Sequence, residues 1–199
     1  MGNKIKKKIT MKKINDFISA YENSFIESGK INDEILRKLK FLYKLSLKIK
    51  KNKKKILIFG NGGSAAISSH FSVDMTKIGQ IRTVNFNESD LLTCFSNDYG
   101  YENWIKKCIE FYSDTGDMII LVSSSGESKN MIEAVKASRK KKLKIVTFTG
   151  FKKSNKLKQL GDLNFWVNSS VYNHIENIHQ YWLLLITDLV NAQRKKNNF

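Results

Sequence analysis

Five short apolar runs, separated by segments with helical periodicity, constrain the fold of this chain more than any other feature. The runs lie at residues 55–60, 83–86, 118–122, 145–148 and 163–167. A run that is apolar at consecutive positions is typical of a strand covered on both faces, and strands that alternate with helices form parallel sheets. We therefore predict an α/β fold in which a parallel sheet is flanked by helices.

Two helical segments precede the first run. Apolar residues at three- and four-residue spacing predict helices over about 9–28 and 32–51, and the sequence Ser28-Gly29-Lys30 separates them. Asn32 is a suitable N-cap for the second helix. A further helix is predicted over about 173–193. We divide the chain into N-terminal helices for packing and oligomerisation (1–54) and a domain that contains the sheet (55–199).

The formal net charge of +17 is concentrated near the N-terminus. Residues 1–55 contain 17 Lys or Arg against 5 Asp or Glu. Lys outnumbers Arg, whereas base recognition favours the bidentate Arg guanidinium. We interpret the charge as solvated surface and keep nucleic-acid or membrane-surface binding as a weaker alternative. A membrane span needs about 18 consecutive apolar residues, and no run approaches that length. Because no targeting signal is evident either, we expect a soluble cytoplasmic protein.

Two loops at the predicted carboxyl edge of the sheet form the candidate ligand site, since ligands of parallel sheets bind beyond the carboxyl ends of the strands. The first is Gly60-Asn61-Gly62-Gly63-Ser64, and the second is Ser123-Ser124-Ser125-Gly126-Glu127-Ser128. Serine hydroxyls and free amides at a helix start can hold a phosphate dianion without Lys or Arg. Either loop alone can equally be a packing or capping turn. Two such loops at one edge favour a phosphorylated ligand.

Four motifs together resemble the sugar isomerase (SIS) domain family, in its order and spacing. They are the stretch from Gly60 to Ala66 followed by His70, the stretch from Asn97 to Gly100, the serine loop (Ser123–Ser128), and the stretch from Thr147 to Gly150. The resemblance implies a three-layer sandwich with a five-stranded parallel sheet, preceded by the N-terminal helical pair, and a homotetramer. It also implies the substrate-binding residues, which are Asn61, Gly62, Gly63, Asn97, Asp98, Ser123, Ser124, Ser125 and Ser128.

Within the SIS family, the motifs are similar to those of the isomerases of sedoheptulose 7-phosphate. The resemblance implies an aldose–ketose isomerase that converts sedoheptulose 7-phosphate to D-glycero-D-manno-heptose 7-phosphate for surface polysaccharides such as lipopolysaccharide. The alternative is a non-catalytic SIS domain that binds a phosphosugar or a protein partner such as a replication initiator.

The resemblance further implies a zinc site, formed by a His and a Glu on the helix after the first loop and by a Gln and a His on the last helix. His70 matches the first ligand, and Asp74 stands where the Glu, which is also the catalytic base, is expected. Glu176 stands at the Gln position and Leu184 at the position of the second His. We predict Asp74 as the base, Glu176 as the acid or a ligand, and His70, Asp74 and Glu176 as the ligands of a Zn²⁺ ion, with a metal-free site as the alternative.

Leucine can neither bind a metal nor transfer a proton, so the replacement at Leu184 favours the non-catalytic alternative. His179 precedes Leu184 by five residues, which is about 140° around a helix. We therefore expect His179 to be a packed histidine rather than a substitute ligand.

Overall fold

A computed structural model of the chain describes the backbone of residues 2–27 and 29–197 and the side chains of 10–27, 29–30 and 32–194. The helices are α1 (Gly2–Asn23), α2 (Asp33–Lys51), α3 (Gly63–Lys77), α4 (Ser89–Tyr99), α5 (Trp104–Tyr112), α6 (Lys129–Lys140), α7 (Lys156–Leu160) and α8 (Tyr172–Asn197). The strands are β1 (Ile26–Glu27), β2 (Lys30–Ile31), β3 (Ile56–Gly60), β4 (Thr83–Val84), β5 (Met118–Ser123), β6 (Lys144–Thr149) and β7 (Leu163–Trp166).

The five predicted strands form one parallel sheet in the order β4-β3-β5-β6-β7. The predicted α/β sandwich with a five-stranded parallel sheet is confirmed. From β3 the chain continues to β4, which lies on one side of β3, and then to β5, which lies on the other side of β3. The boundary between β3 and β5 is therefore the point at which the winding reverses, where open α/β sheets bind their ligands.

Both faces of the sheet carry buried apolar side chains, as the consecutive apolar runs predict. Ile56 and Ile58 of β3 pack on one face with α2, α3 and α8, whereas Leu57 and Phe59 pack on the other face with α5 and α6. Strands covered in this way hold the loops at their carboxyl ends on a rigid base.

Helix α2 begins where its cap predicts. The Asn32 side chain accepts hydrogen bonds from the backbone N–H groups of Glu34 (2.8 Å) and Ile35 (3.1 Å). The buried face of the helix joins the same core as the sheet. The boundary after residue 54 stays a prediction. The predicted first helix extended to Ser28, which lies outside the described residues, and α1 ends at Asn23.

Among the described residues, none of the helices is long and apolar enough to cross a membrane. The two cysteines are free: Cys94 is exposed on α4 and Cys108 is buried on α5.

Candidate active site

The two predicted loops lie side by side, because β3 and β5 are neighbouring parallel strands. Two asparagine side chains join them. Asn61 in the first loop and Asn130 at the start of α6 exchange hydrogen bonds of 3.1 and 2.9 Å between their amides. The Tyr101 hydroxyl donates to Asn61 Oδ1 at 3.0 Å. The loop after α4 therefore closes one side of the site.

The serine loop is held by its own hydroxyls. Ser123 Oγ accepts from the N–H of Gly126 at 3.3 Å, and Ser125 Oγ accepts from the N–H of Glu127 at 3.3 Å. Ser128 is the N-cap of α6, but its hydroxyl makes no capping hydrogen bond.

At the starts of α3 and α6, the N–H groups of Ser64, Ala65 and Met131 already donate to carbonyl groups of nearby residues. Within the described structure, the N–H groups of Gly63 and Lys129 have no such acceptor and are available to the site.

Gly63 at the start of α3 is in close contact with the carboxyl group of Glu176 on α8. A Cβ added at Gly63 would lie 2.5 Å from Glu176 Oε2. Glycine is therefore required for this approach, and the carboxyl group lies beside the positive end of the α3 dipole. Burial raises the pKa of the Glu176 carboxyl above its ordinary value, because desolvation disfavours the charged form.

His70 is in contact with two side chains, one on its own helix and one on α8. Its Nε2 lies 3.3 Å from Asp74 Oδ2 one turn further along α3. Its Nδ1 lies 3.2 Å from Nε2 of Gln180. An amide nitrogen can only donate, so Nδ1 is the acceptor and the neutral ring carries its proton on Nε2. Gln180 thus determines which tautomer of His70 faces Asp74.

The three residues of the predicted metal set, His70, Asp74 and Glu176, do not come together in this structure, and their role as metal ligands stays a prediction. Within the described side chains, no three His, Cys, Asp or Glu residues converge as a metal-binding group. The Glu176 carboxyl lies at Gly63, and Gly63 precedes Asp74 by eleven residues on one helix, about 16 Å along its axis. Gln180 also occupies Nδ1 of His70. The donor set therefore does not fit a zinc site, and no reaction step below involves a metal.

The same distance bears on the predicted roles of the two carboxyl groups. An acid and a base that act on neighbouring carbons must lie within hydrogen-bond reach of both carbons. Asp74 and Glu176 lie at opposite ends of this part of α3 and do not meet that condition. The prediction that Glu176 is the acid partner of Asp74 is not supported by this placement.

Leu184 and His179 lie on α8 as the spacing predicts. Leu184 follows Gln180 by one turn and is half-buried. His179 is fully buried, and its Nε2 donates to the carbonyl of Thr149 at 3.0 Å. Burial lowers the pKa of His179 to about 4. The prediction of a packed histidine is confirmed.

Asn97 and Asp98 lie on the last turn of α4, and both are exposed. The amide of Asn97 donates to Asp98 Oδ1 at 3.0 Å. Among the described residues, neither side chain makes a hydrogen bond to a ligand loop, although Tyr101 brings the end of α4 to the first loop. Their role in substrate binding stays a prediction.

Sequence reasoning missed Gln180, Asn130 and Tyr101. Gln180 follows Glu176 by four residues, so the helical period places both on one face of α8, and this is the signal that could have identified it. No local pattern identifies Asn130 or Tyr101, because their partner Asn61 is far away along the chain.

Comparison with known proteins gives one family. The SIS domain profile matches residues 28–150 of this chain. The chain is 27% identical over 197 residues to a phosphoheptose isomerase of Buchnera aphidicola, which covers 96% of this chain and 99% of that protein. It is 33% identical over 177 residues to a phosphoheptose isomerase of Glaesserella parasuis, which covers 83% of this chain and 90% of that protein.

A solved structure shares the architecture over nearly the whole chain. A phosphoheptose isomerase from Neisseria gonorrhoeae superposes with a TM-score of 0.83 at 27% sequence identity. The match covers 92% of this chain and 98% of that one. The likeness therefore includes the N-terminal helices as well as the sheet.

Proposed function

The chain belongs to the SIS domain family and, within it, to the phosphoheptose isomerases, and on that premise we propose that it interconverts sedoheptulose 7-phosphate and D-glycero-D-manno-heptose 7-phosphate. The observation that carries the proposal is that hydrogen bonds join the start of α6, directly after the serine loop, to the first ligand loop (residues 60–64) at the boundary between β3 and β5. The His70–Asp74 pair lies on α3, the helix that follows the first loop. We propose a cytoplasmic enzyme that supplies heptose for surface polysaccharide.

The phosphate binds where the two loops meet. The serine hydroxyls and the first amides of α3 and α6 converge there, and both helix dipoles favour a dianion. Asn61 and Asn130 hold the two loops at a constant separation through their paired amides. Hydroxyl and amide donors give the site a preference for phosphate without a dedicated cation.

The length of α3 sets the distance from the phosphate to the reacting carbons. His70 follows Gly63 by seven residues, which is about 10 Å along the helix axis. A seven-carbon sugar phosphate in an extended conformation spans a similar distance between its phosphate and its first two carbons. With the phosphate at the start of α3, C1 and C2 come level with His70, and the Asp74 carboxylate lies 3.3 Å from Nε2 of that ring.

The isomerisation moves one proton from C1 to C2 and a second from O1 to O2, and the two oxygens exchange the second proton through Nε2 of His70. Asp74 removes the proton from C1 of the ketose and returns it to C2, so that the intermediate is an enediol and the carbonyl moves from C2 to C1. The N–H at Nε2 of His70 lies beside Asp74 and donates to the substrate oxygens, where negative charge develops. Gln180 holds this tautomer through Nδ1.

Glu176 acts at the phosphate end of the substrate. Its carboxyl lies at the start of α3, and burial raises its pKa. In its neutral form it can donate a hydrogen bond to a phosphate oxygen, and in its ionised form it repels the dianion. We propose a binding role for Glu176 in place of the catalytic role that the sequence suggests.

Turnover by an Asp74→Asn variant tests the assignment of the base. We expect wild-type protein to convert sedoheptulose 7-phosphate to aldoheptose phosphate, and the variant to lose activity by a factor of about 10² to 10⁴ while it still binds the sugar phosphate. Asp188→Asn makes the same change at an exposed position of α8 and should retain full activity.

A non-catalytic SIS domain is the second candidate, because Leu184 offers no donor where the family has a histidine. It predicts that the wild-type protein binds sedoheptulose 7-phosphate in calorimetry but converts none of it, with or without added divalent metal. That result would replace the proposed enzyme by a phosphosugar-binding domain.

A further inference from the structure

A cavity of about 380 Å³ lies between the end of α1, strand β1, the first turns of α2, and the carboxyl ends of β6 and β7. We call it the lysine cavity. Its polar and aromatic lining includes Lys38, Lys153, Lys158, Asn168, Trp166 and Trp182. None of the residues of the candidate active site lines it. It is therefore a separate site at the same edge of the sheet.

Positive charge in the lysine cavity is only partly compensated. The ammonium groups of Lys158 and Lys153 lie 4.8 and 6.0 Å from the centre of the Trp166 ring. Lys38 pairs with Glu34 at 2.5 Å, but within the described part of the chain no carboxylate pairs with Lys153 or Lys158. Burial, followed by the charges of Lys153 and Lys38, lowers the pKa of Lys158. An anion in the cavity would relieve this repulsion.

Two buried donors in the cavity wall also lack acceptors. The side chain of Trp182 is 1% exposed, and its indole N–H has no hydrogen-bond partner among the described residues. The buried indole N–H of Trp166 is likewise unpaired in the described structure. Buried N–H groups without acceptors are rare and costly in folded proteins. Both indole nitrogens are buried from the cavity as well as from solvent, so the groups that the cavity presents to an anion are the ammonium groups of Lys153 and Lys158. The ammonium group of Lys158 also donates to the backbone carbonyl of Lys153 at 3.2 Å.

The size and the remaining walls indicate an organic anion. The volume is near the lower end of the range of small-molecule sites, about 300 to 1,000 Å³, and is larger than one inorganic phosphate needs. Ile26 and Ile35 supply apolar wall, while Glu27 and Glu34 can accept hydrogen bonds from hydroxyl or amino groups. Lysine ammonium groups bind phosphate as point charges. A phosphate monoester that carries hydroxyl or amino groups matches these walls.

The cavity is connected to the serine loop by direct contacts. The N–H of Leu157 on α7 donates to the carbonyl of Gly126 at 3.0 Å, and the N–H of Lys156 donates to Glu127 Oε1 at 3.1 Å. Lys153 and Lys158 lie on the same segment as these two donors. A ligand that binds both lysines would therefore shift the segment 153–158, whose N–H groups hydrogen-bond the serine loop.

We propose that the lysine cavity is a second anion site, which binds an organic phosphate monoester and alters substrate affinity at the serine loop. Nucleotides and sugar phosphates share this chemistry. Binding to the cavity is independent of the proposed function, whereas the effect on the serine loop rests on it.

Calorimetry on the full chain tests the binding, with AMP, glucose 6-phosphate and inorganic phosphate as separate probes at constant ionic strength. We expect AMP or glucose 6-phosphate to bind to the wild-type protein, and the lysine variants described next locate the binding. The probe that binds identifies the source of the ligand. Binding of inorganic phosphate alone, or of none of the three probes, would overturn the proposal.

Matched variants locate the site. The double variant Lys153→Gln/Lys158→Gln should lose affinity for the probe by about tenfold or more, since it removes two charge-assisted contacts. Lys48→Gln/Lys51→Gln removes the same charge from exposed positions near the end of α2 and should bind normally. Circular dichroism of both variants checks folding. Equal loss in the two variants would show unspecific charge and reject the site.

The coupling is tested by the affinity for sedoheptulose 7-phosphate with and without the bound probe. We expect a change of at least about fivefold, the lower end of ordinary allosteric coupling, and its disappearance in Lys153→Gln/Lys158→Gln. An unchanged affinity in wild-type protein would reject the coupling while leaving the anion site. Absence of sedoheptulose 7-phosphate binding altogether would instead contradict the proposed function.

Discussion

The lack of a side chain at Gly63 determines where the carboxyl group of Glu176 lies. The absence of a Cβ leaves room for the Glu176 carboxyl at the start of α3. That position separates Glu176 from Asp74, which is why we propose different roles for the two carboxyl groups. The chemical identity of Glu176 suggests acid–base catalysis, whereas its location indicates contact with phosphate.

Glu176→Gln tests this location. The pKa of Glu176 is raised, so its neutral form is favoured as pH falls, and repulsion of the dianion grows as pH rises through that pKa. We expect wild-type KM for the sugar phosphate to rise with pH relative to the variant, in which KM should be up to roughly tenfold lower at alkaline pH. The value of kcat should change little. Steady-state kinetics across a pH series measure both.

Glu22→Gln, an exposed change on α1, is the control for this experiment and should follow the wild-type profile. A large loss of kcat in Glu176→Gln with unchanged KM would instead restore the acid role for Glu176.

Gln180→Leu tests the positioning of His70. Loss of the amide leaves Nδ1 without its donor, so the ring no longer prefers the tautomer with the proton on Nε2. We expect kcat to fall by about 10² with little change in KM, which is the lower range for general acid–base contributions. Nitrogen NMR shifts of His70 should report a mixture of tautomers.

Two further variants sharpen the test of Gln180. Gln180→Glu should favour the opposite tautomer, because a carboxylate accepts from Nδ1. Gln159→Leu removes an exposed amide from α7 and should leave both kcat and the His70 signals unchanged. If Gln180→Leu leaves those signals in place, Gln180 does not position His70.

Among the elements, α7 and the serine loop depend on each other. Gly126 has a φ of +67°, and a Cβ there would lie 2.0 Å from Asn155 Oδ1. Asn155 is buried, and its Oδ1 caps α7 by accepting from the N–H of Lys158 at 2.9 Å. The short helix therefore reaches its position only if the serine loop has no side chain at residue 126.

Gly126→Ala should destabilise the fold by roughly 2–5 kcal/mol, because it adds backbone strain to a steric clash. The displaced α7 should also loosen the serine loop and raise KM. Gly116→Ala is the matched control, since Gly116 has a φ of +90° but only the Lys54 side chain, at 3.4 Å, near the added Cβ. Denaturant unfolding of both variants separates the clash from the strain, and equal losses would refute the packing argument.

The relation between elements also explains the placement of the site. Helix α3 runs from the proposed phosphate site to the proposed catalytic pair. Helix α8 places Glu176 beside the first of these and Gln180 beside the second. Glu176 and Gln180 are one turn apart on α8 and contact α3 near Gly63 and at His70. A small shift of α8 along α3 would therefore change both contacts together.

At the scale of the whole molecule, α1 presents apolar side chains to solvent. Met11, Ile14 and Ile18 are 50%, 47% and 46% exposed and lie on one face of the helix. An exposed apolar stripe on a surface helix is typical of a subunit interface. We predict the homotetramer that the family resemblance implies.

Light scattering at micromolar concentration measures the assembly. We expect a tetramer for the wild-type chain and smaller species for Ile14→Lys/Ile18→Lys, which places charge in the predicted interface. Asp16→Asn changes an exposed residue of the same helix and should leave the tetramer intact. A wild-type monomer would contradict the prediction.

The sequence by itself determined the five strands of the parallel sheet and the two ligand loops, but not the short pair β1 and β2. A strand buried on both faces must be apolar at consecutive positions, so 118–122 identifies β5 without reference to the rest of the chain. The same holds for the cap of α2, where Asn32 bonds to residues two and three positions away. Such features depend on local chemistry, which a sequence displays directly.

Only the tertiary structure decided which distant side chains meet. Gln180 reaches His70 across 110 residues, and Glu176 lies at Gly63 rather than at Asp74. The lysine cavity likewise joins α2 to the segment between β6 and β7. These contacts follow from the crossing and axial offset of packed helices, which arise from the summed packing of many side chains and leave no periodic signal in the sequence.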